Sequence, residues 1–178
     1  MPVGLLMIEH RLIERMIKLM DGQLRRIKKG NKIDTGFIDT AVDFIRIYAD
    51  RCHHGKEEDI LFKSLSKKGL SEGHGNIMNE LISEHVMGRK TVKKLEEAKG
   101  SYLKGQNSAA KAIILNMETL VDFYPRHIEK EDKRFFIPSM DYFTDSERDS
   151  MIKEMYEFDK NMIHEKYRKV VESHEGKD

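Results

Sequence analysis

Residues 53–62, His53-His54-Gly55-Lys56-Glu57-Glu58-Asp59-Ile60-Leu61-Phe62, overlay residues 127–136, His127-Ile128-Glu129-Lys130-Glu131-Asp132-Lys133-Arg134-Phe135-Phe136, at an offset of 74. The match runs in order through histidine, lysine, glutamate, an acid, a large apolar residue and phenylalanine. At an offset of 75, Glu9-His10 falls on Glu84-His85. Two residues alone would mean little, but the two offsets agree within one residue. The chain therefore reads as two related halves, each an αα-hairpin with one histidine on its first helix and one HxxxE on its second. The halves are expected to face each other across a pseudo-twofold axis.

Working outward, three prolines and twelve glycines leave long helical stretches separated by short Gly, Asn and Ser punctuation. The first runs from about residue 5 to 29, with Leu6, Ile13, Ile17, Met20 and Leu24 at helical spacing, and ends at Gly30-Asn31. The second runs from about 34–37 to 68, the third from after Gly75 to Gly100, and the fourth from about 108 to Pro138. Pro125 lies inside the fourth, where a missing backbone donor predicts a kink. A fifth helix, about 144–173, opens with Thr144-Asp145-Ser146-Glu147, a capping box. The last residues, 175–178, are expected to fray. Short connections between long helices favour antiparallel neighbours. The expected fold is all-α: one domain over 1–178, an up-down-up-down four-helix bundle over 5–138, and an additional C-terminal helix over 144–174 packed outside it.

Composition narrows the function classes. The 178 residues carry 32 Lys+Arg and 31 Asp+Glu, a formal net charge of +1 with the signs mixed along the chain. Mixed charge describes a solvated helix surface, so neither nucleic acid nor membrane is expected as a partner. The basic run Arg25-Arg26-Ile27-Lys28-Lys29 ends a helix, where cations complement the dipole. No apolar run approaches the roughly 20 residues of a bilayer span, and charge enters too early at the start for a secretory leader. The single cysteine, Cys52, suits a reducing compartment, and nothing around it suggests a lowered thiol pKa. The expected location is the cytoplasm.

In a helix, residues i and i+4 differ by one turn and only about 40° of rotation. His53 with Glu57, and His127 with Glu131, therefore present an imidazole and a carboxylate on one face. His10 shares a stripe with Leu6, Ile13 and Ile17; His85 with Met78, Leu81 and Val92; His127 with Leu120, Phe123 and Phe135. Several inward imidazoles and carboxylates are costly unless paired or coordinated. A cation resolves that cost. Mixed imidazole and carboxylate ligation suits iron or manganese, whereas structural zinc more often recruits thiolates. Carboxylates on opposite helices can each bridge two ions, which makes the constellation binuclear. His74, His164 and His174 lie off the repeat and read as surface residues, and Tyr124, one turn before His127, reads as a core aromatic.

The stretches EHRLIERM, CHHGKEEDILF, EHVMGR and RHIEKEDKRFFIP resemble those of hemerythrin-like (HHE cation-binding) domains in both order and spacing. The resemblance implies metal ligation by His10, His53, His85 and His127, with Glu57 and Glu131 as bridging carboxylates. It also implies two iron ions with an oxo or hydroxo bridge, manganese or zinc being substitutes. One departure stands out: oxygen-carrying hemerythrins use HxxxH on the third helix, and the position four before His85 is Leu81. His54, about 100° around the helix from His53, is the candidate for the fifth imidazole. His54 and Glu58 form an HxxxE of their own, but only the His53–Glu57 register places Leu61-Phe62 over Phe135-Phe136.

Two six-coordinate irons need twelve bonds. Five imidazoles and two bridging carboxylates supply nine, a bridging oxygen supplies two, and one position stays open. The resemblance then implies binding of O2 or a related small molecule (peroxide, nitric oxide) for sensing, delivery or detoxification. Replacing a third-helix ligand by His54 would alter geometry and redox potential. Two other readings remain: a peroxide-decomposing or oxygen-reducing di-iron enzyme, and an iron-responsive module that meets a protein partner through the C-terminal helix. The chain reads as a metal- and oxygen-binding protein more than as an enzyme.

Overall fold

The computed structural model describes residues 1–106 and 108–172, with side chains described as far as 162. Five helices carry the fold: α1 (Pro2–Lys28), α2 (35–65), α3 (Glu72–Leu103), α4 (109–139) and α5 (Asp145–Glu172), with a 3₁₀ turn at Met140–Tyr142 before α5. α1 lies along α4 and α2, and α3 lies along α4 and α2, so the first four close an up-down-up-down bundle. α5 packs outside it against α1 and α2. The expected positions of residues 173–178, and the side chains of His164 and Tyr167, lie outside the described residues.

Where the boundaries differ from expectation, the caps explain it. α1 starts at Pro2, whose fixed φ and missing N–H suit a first helical turn. α3 starts at Glu72, because the Ser71 hydroxyl accepts a hydrogen bond from the His74 amide at 3.3 Å. The helix then runs through Gly75 and Gly100 to Leu103. The true stops are Gly30 and Gly105, at φ +90° and +79°, where a side chain would be strained. The Thr144–Glu147 capping box forms in both directions, at 2.9 Å and 3.3 Å. Pro125 sits inside α4 without interrupting it.

The larger departure is in helix type. Residues Ile45–His54, Glu57–Phe62 and Glu131–Phe135 form wide π turns rather than α turns. Widened turns of this kind recur at functional sites. They reduce the rotation between successive residues, and the adjacent His53 and His54 are both buried.

Two apolar clusters fill the bundle. One contains Ile13, Ile17, Met20, Ala49, Val92, Leu95, Ile113, Met117 and Leu120. The other contains Leu6, Ile60, Leu61, Phe62, Leu81, Phe135 and Phe136, together with Met151 and Met155 of α5. Between them lies a polar layer. Along α1, His10 separates Leu6 of one cluster from Ile13 of the other, and along α3 His85 separates Leu81 from Val92. Apolar packing above and below shields that layer from water.

Candidate metal centre

All seven residues singled out from the sequence meet in this layer: His10 from α1, His53, His54 and Glu57 from α2, His85 from α3, and His127 and Glu131 from α4. Each is at most 2% exposed. They form two groups. His10 and His53 approach each other with their Nε2 atoms 2.8 Å apart. His54, His85 and His127 form the other group, His54 stacked on His85 with ring centroids at 3.9 Å.

The two carboxylates span the groups. Glu57 directs Oε1 to His53 Nε2 and Oε2 to His85 Nε2, both at 3.3 Å. Glu131 directs Oε2 to His10 Nε2 at 3.2 Å and Oε1 to His127 Nε2 at 3.3 Å. Each carboxylate thus faces one group with one oxygen and the other group with the second. The pseudo-twofold expectation is visible in detail: His10 stacks on Phe136 at 5.5 Å and His85 on Phe62 at 6.0 Å, and Phe62 and Phe136 are equivalent in the repeat.

The far side of every imidazole is also committed to a carboxylate. The Nδ1–H groups donate to Asp132 from His10 (2.7 Å), Glu9 from His53 (2.9 Å), Asp50 from His54 (3.3 Å), Glu58 from His85 (2.7 Å) and Glu84 from His127 (2.8 Å). These bonds hold a proton on each Nδ1 and aim each Nε2 into the shared space. Sequence reasoning did not assign these five carboxylates. The signal was present for four of them: Glu9 and Glu84 are the acids of the Glu-His repeat, and Glu58 and Asp132 are the acids after Glu57 and Glu131. Each acid of the Glu-His pair serves the histidine of the following helix, a crossing that a linear alignment does not reveal. The lysines of the repeat complete the pattern, Lys56 bonding Glu9 and Lys130 bonding Glu84.

Glu58, the rival glutamate in the register, lies outside the layer. It accepts from His85 and from Arg89, the latter at 2.7 Å, which leaves Glu57 to face the imidazoles. Tyr124 packs as a core aromatic, edge-on to Phe123 at 5.0 Å. His74 departs from its surface reading: it is half-buried, hydrogen-bonded to the Tyr142 hydroxyl at 2.8 Å. The Cys52 thiol is pushed up to about 12 by burial and by the Asp159 and Glu9 carboxylates, so it stays protonated.

The electrostatics ask for cations. Burial disfavours charge on His53, yet Glu57, Glu9 and Glu131 outweigh it and push its pKa up to about 10. Burial is likewise outweighed at His85, where Glu131, Glu58 and Glu57 push the value up to about 10, and His10 is raised by Asp132 and Glu131. His54 goes the other way: burial, with His85, His53 and His127 beside it, holds it well below its ordinary value and therefore neutral. Burial would raise Glu131, but His127, His10 and His85 hold it well below the ordinary carboxylate range. Among the described residues, the buried side-chain oxygens and nitrogens without a hydrogen-bond partner are both oxygens of Glu57, both oxygens of Glu131, and Nε2 of His85 and His127. Orphaned buried polar atoms are rare. Six converging on one space, all metal-ligating types, fit a cation cluster, whether the positive charge is carried by protonated imidazoles or by bound metal.

A helical bundle holding two imidazole groups spanned by two buried carboxylates defines a cation-binding protein with a site in its core. The chain belongs to the hemerythrin family: the family model described as hemerythrin HHE cation binding domain matches residues 1–136. No curated protein and no solved structure is a significant match to the chain.

Proposed function

We propose that the protein is a non-haem di-iron protein that binds O2 or a related small molecule such as peroxide or nitric oxide. In this reading His10 and His53 would hold one ion and His54, His85 and His127 the other, with Glu57 and Glu131 available to both. The observation that carries it is the unequal division of imidazoles between two groups that share both carboxylates. The inequality comes from one place in the repeat, where His54 overlays Ile128. Ile128 is buried and offers no donor, so the His10–His53 side has one protein ligand fewer.

Two ferrous ions at such a site would supply electrons for binding or reducing a small oxidant. The chain's own residues do the rest. Asp132, Glu9, Asp50, Glu58 and Glu84 orient the imidazoles and raise their basicity. Phe62, Phe123 and Phe136 stack on His85, His127 and His10 and exclude water. A cleft of about 230 Å³ lies outside Ile128, lined by Ile17, Val121, Tyr124 and Pro125 together with the charged Glu14, Lys18 and Asp21. We read residues 1–178 as one domain working in the cytoplasm. No helix of the described residues is long and apolar enough to cross a membrane.

The test is metal content per chain after purification without added metal, with absorption spectra before and after anaerobic reduction and re-exposure to air. Two irons, with oxygen-to-iron charge-transfer bands that vanish and return, are expected. Near-zero metal, or a single zinc, would remove the basis for this function.

A further inference from the structure

α5 lies beyond the residues matched by the family model, yet it reaches the outer support of the centre. Lys56, one residue before the bridging Glu57, is completely buried. Its ammonium donates to Glu9 and, at 3.0 Å, to Asp159 of α5. Glu9 in turn accepts the Nδ1–H of His53 at 2.9 Å. A continuous chain of charge-assisted hydrogen bonds therefore runs from α5 to an imidazole: Asp159, Lys56, Glu9, His53. Glu9, Cys52 and Asp159 come close together; the two carboxylates both pair with the Lys56 ammonium, and the Cys52 thiol donates to Asp159 at 3.3 Å.

The other half of the repeat provides the comparison. Lys130 bonds Glu84 at 2.6 Å, and Glu84 accepts from His127. The second carboxylate on Lys130 is Glu80 of α3, at 2.5 Å, and its side chain is 56% exposed. Water can replace Glu80. Water replaces Asp159 less readily: Asp159 is 38% exposed, but the Lys56 side chain beneath it is 1% exposed where that of Lys130 is 13%, and a buried ammonium needs its partners.

We propose that Asp159 is a positioning residue for the metal centre: through Lys56 and Glu9 it sets the donor strength of His53 and couples the docking of α5 to the bound metal. This rests on the di-iron reading above. With Asp159 present, the Lys56 charge is shared between two carboxylates. Without it, Lys56 draws on Glu9 alone, and Glu9 becomes a weaker acceptor for the His53 N–H. A less basic His53 holds iron less firmly and favours the ferrous state. Coupling is reciprocal, so metal at His53 also favours the docked helix.

The experiment compares iron-loaded wild-type protein with Asp159→Ala, Asp159→Glu and Glu80→Ala. Asp159→Ala is expected to lose iron to a ferrous chelator about tenfold faster, the lower end of what supporting residues contribute to metal affinity. Its midpoint potential should move in the positive direction. Asp159→Glu should restore both, and Glu80→Ala should change neither. On the unaltered chain, iron loading should raise the amide exchange protection of residues 151–162, a measurement that does not depend on any variant folding. Wild-type iron loss and potential in a folded Asp159→Ala, or exchange in 151–162 indifferent to iron, would overturn the coupling while leaving the di-iron reading intact. A wild-type protein that takes up no iron would overturn both.

Discussion

His54 stands in one half of the molecule where Ile128 stands in the other, and this single exchange divides five imidazoles into groups of three and two. Both side chains are buried, so the difference lies in what each offers the core rather than in exposure. His54→Ala is expected to keep the fold and change the absorption spectrum of the loaded protein. Ile128→His is expected to retain metal but suppress binding of added azide, because the new imidazole competes for the open side. An unchanged spectrum in His54→Ala would move that residue out of the ligand set.

His127→Ala and Glu131→Ala should each lower the metal count per chain. Helical content should stay near that of the wild type, because the apolar clusters on either side of the polar layer do not depend on these residues. Circular dichroism and metal analysis on the same samples give the answer, and full loading in both variants would sink the assignment.

Glu84→Ala removes the carboxylate that orients His127, bonded at 2.8 Å. The imidazole keeps its place on α4 but loses its fixed tautomer. Metal affinity should fall by about 10- to 100-fold, with the metal count recoverable at high metal concentration. Competition against a chelator distinguishes this from the loss of stoichiometry expected for His127→Ala.

The repeat, the inward placing of His10, His53, His85 and His127, and the choice of Glu57 over Glu58 to face them were legible because each depends on identity and spacing alone. The π turns were not. Nothing in Ile45–His54 marks a widened turn, since its apolar spacing fits an ordinary helix and only packing chooses between them. The outer carboxylates were hidden for a different reason. Glu9 reads as the neighbour of His10 but serves His53, 44 residues away, and such a pairing is created by the bundle rather than by the chain. The role of α5 was invisible for the same reason, Asp159 and Lys56 being 103 residues apart.

The pH response of the metal-free protein follows from His53 and His85, both pushed up to about 10 from an ordinary 6.5. A raised folded-state pKa stabilises fully below about 6.5, and that stabilisation disappears as pH rises through 10. Metal-free protein should therefore lose stability as pH rises from about 7 to 10. Metal displaces the same protons, so loading at pH 7.5 should release about two protons per chain, and loaded protein should lack the decline. Chemical denaturation across this range, with an indicator titration of metal uptake, checks both. A flat profile for the metal-free protein would show that these imidazoles do not carry the charge assigned to them.

Gly55 meets the tip of Phe158: a Cβ built there would lie 2.7 Å from Cζ of the ring, with Cε1 at 3.3 Å. Gly55 therefore provides the seat for α5 between His54 and Lys56. Replacing a helical glycine by alanine ordinarily stabilises by about 1 kcal/mol. In the wild-type background that gain is offset by turning the Phe158 ring aside. In a Phe158→Ala background nothing opposes it. The double-mutant cycle should thus give Gly55→Ala its full stabilisation only when Phe158 is absent, with a coupling on the order of 1 kcal/mol, as for residues in direct contact. Urea denaturation of the metal-free proteins measures it. Equal effects of Gly55→Ala in the two backgrounds would mean that α5 does not press on the segment carrying His53 and His54.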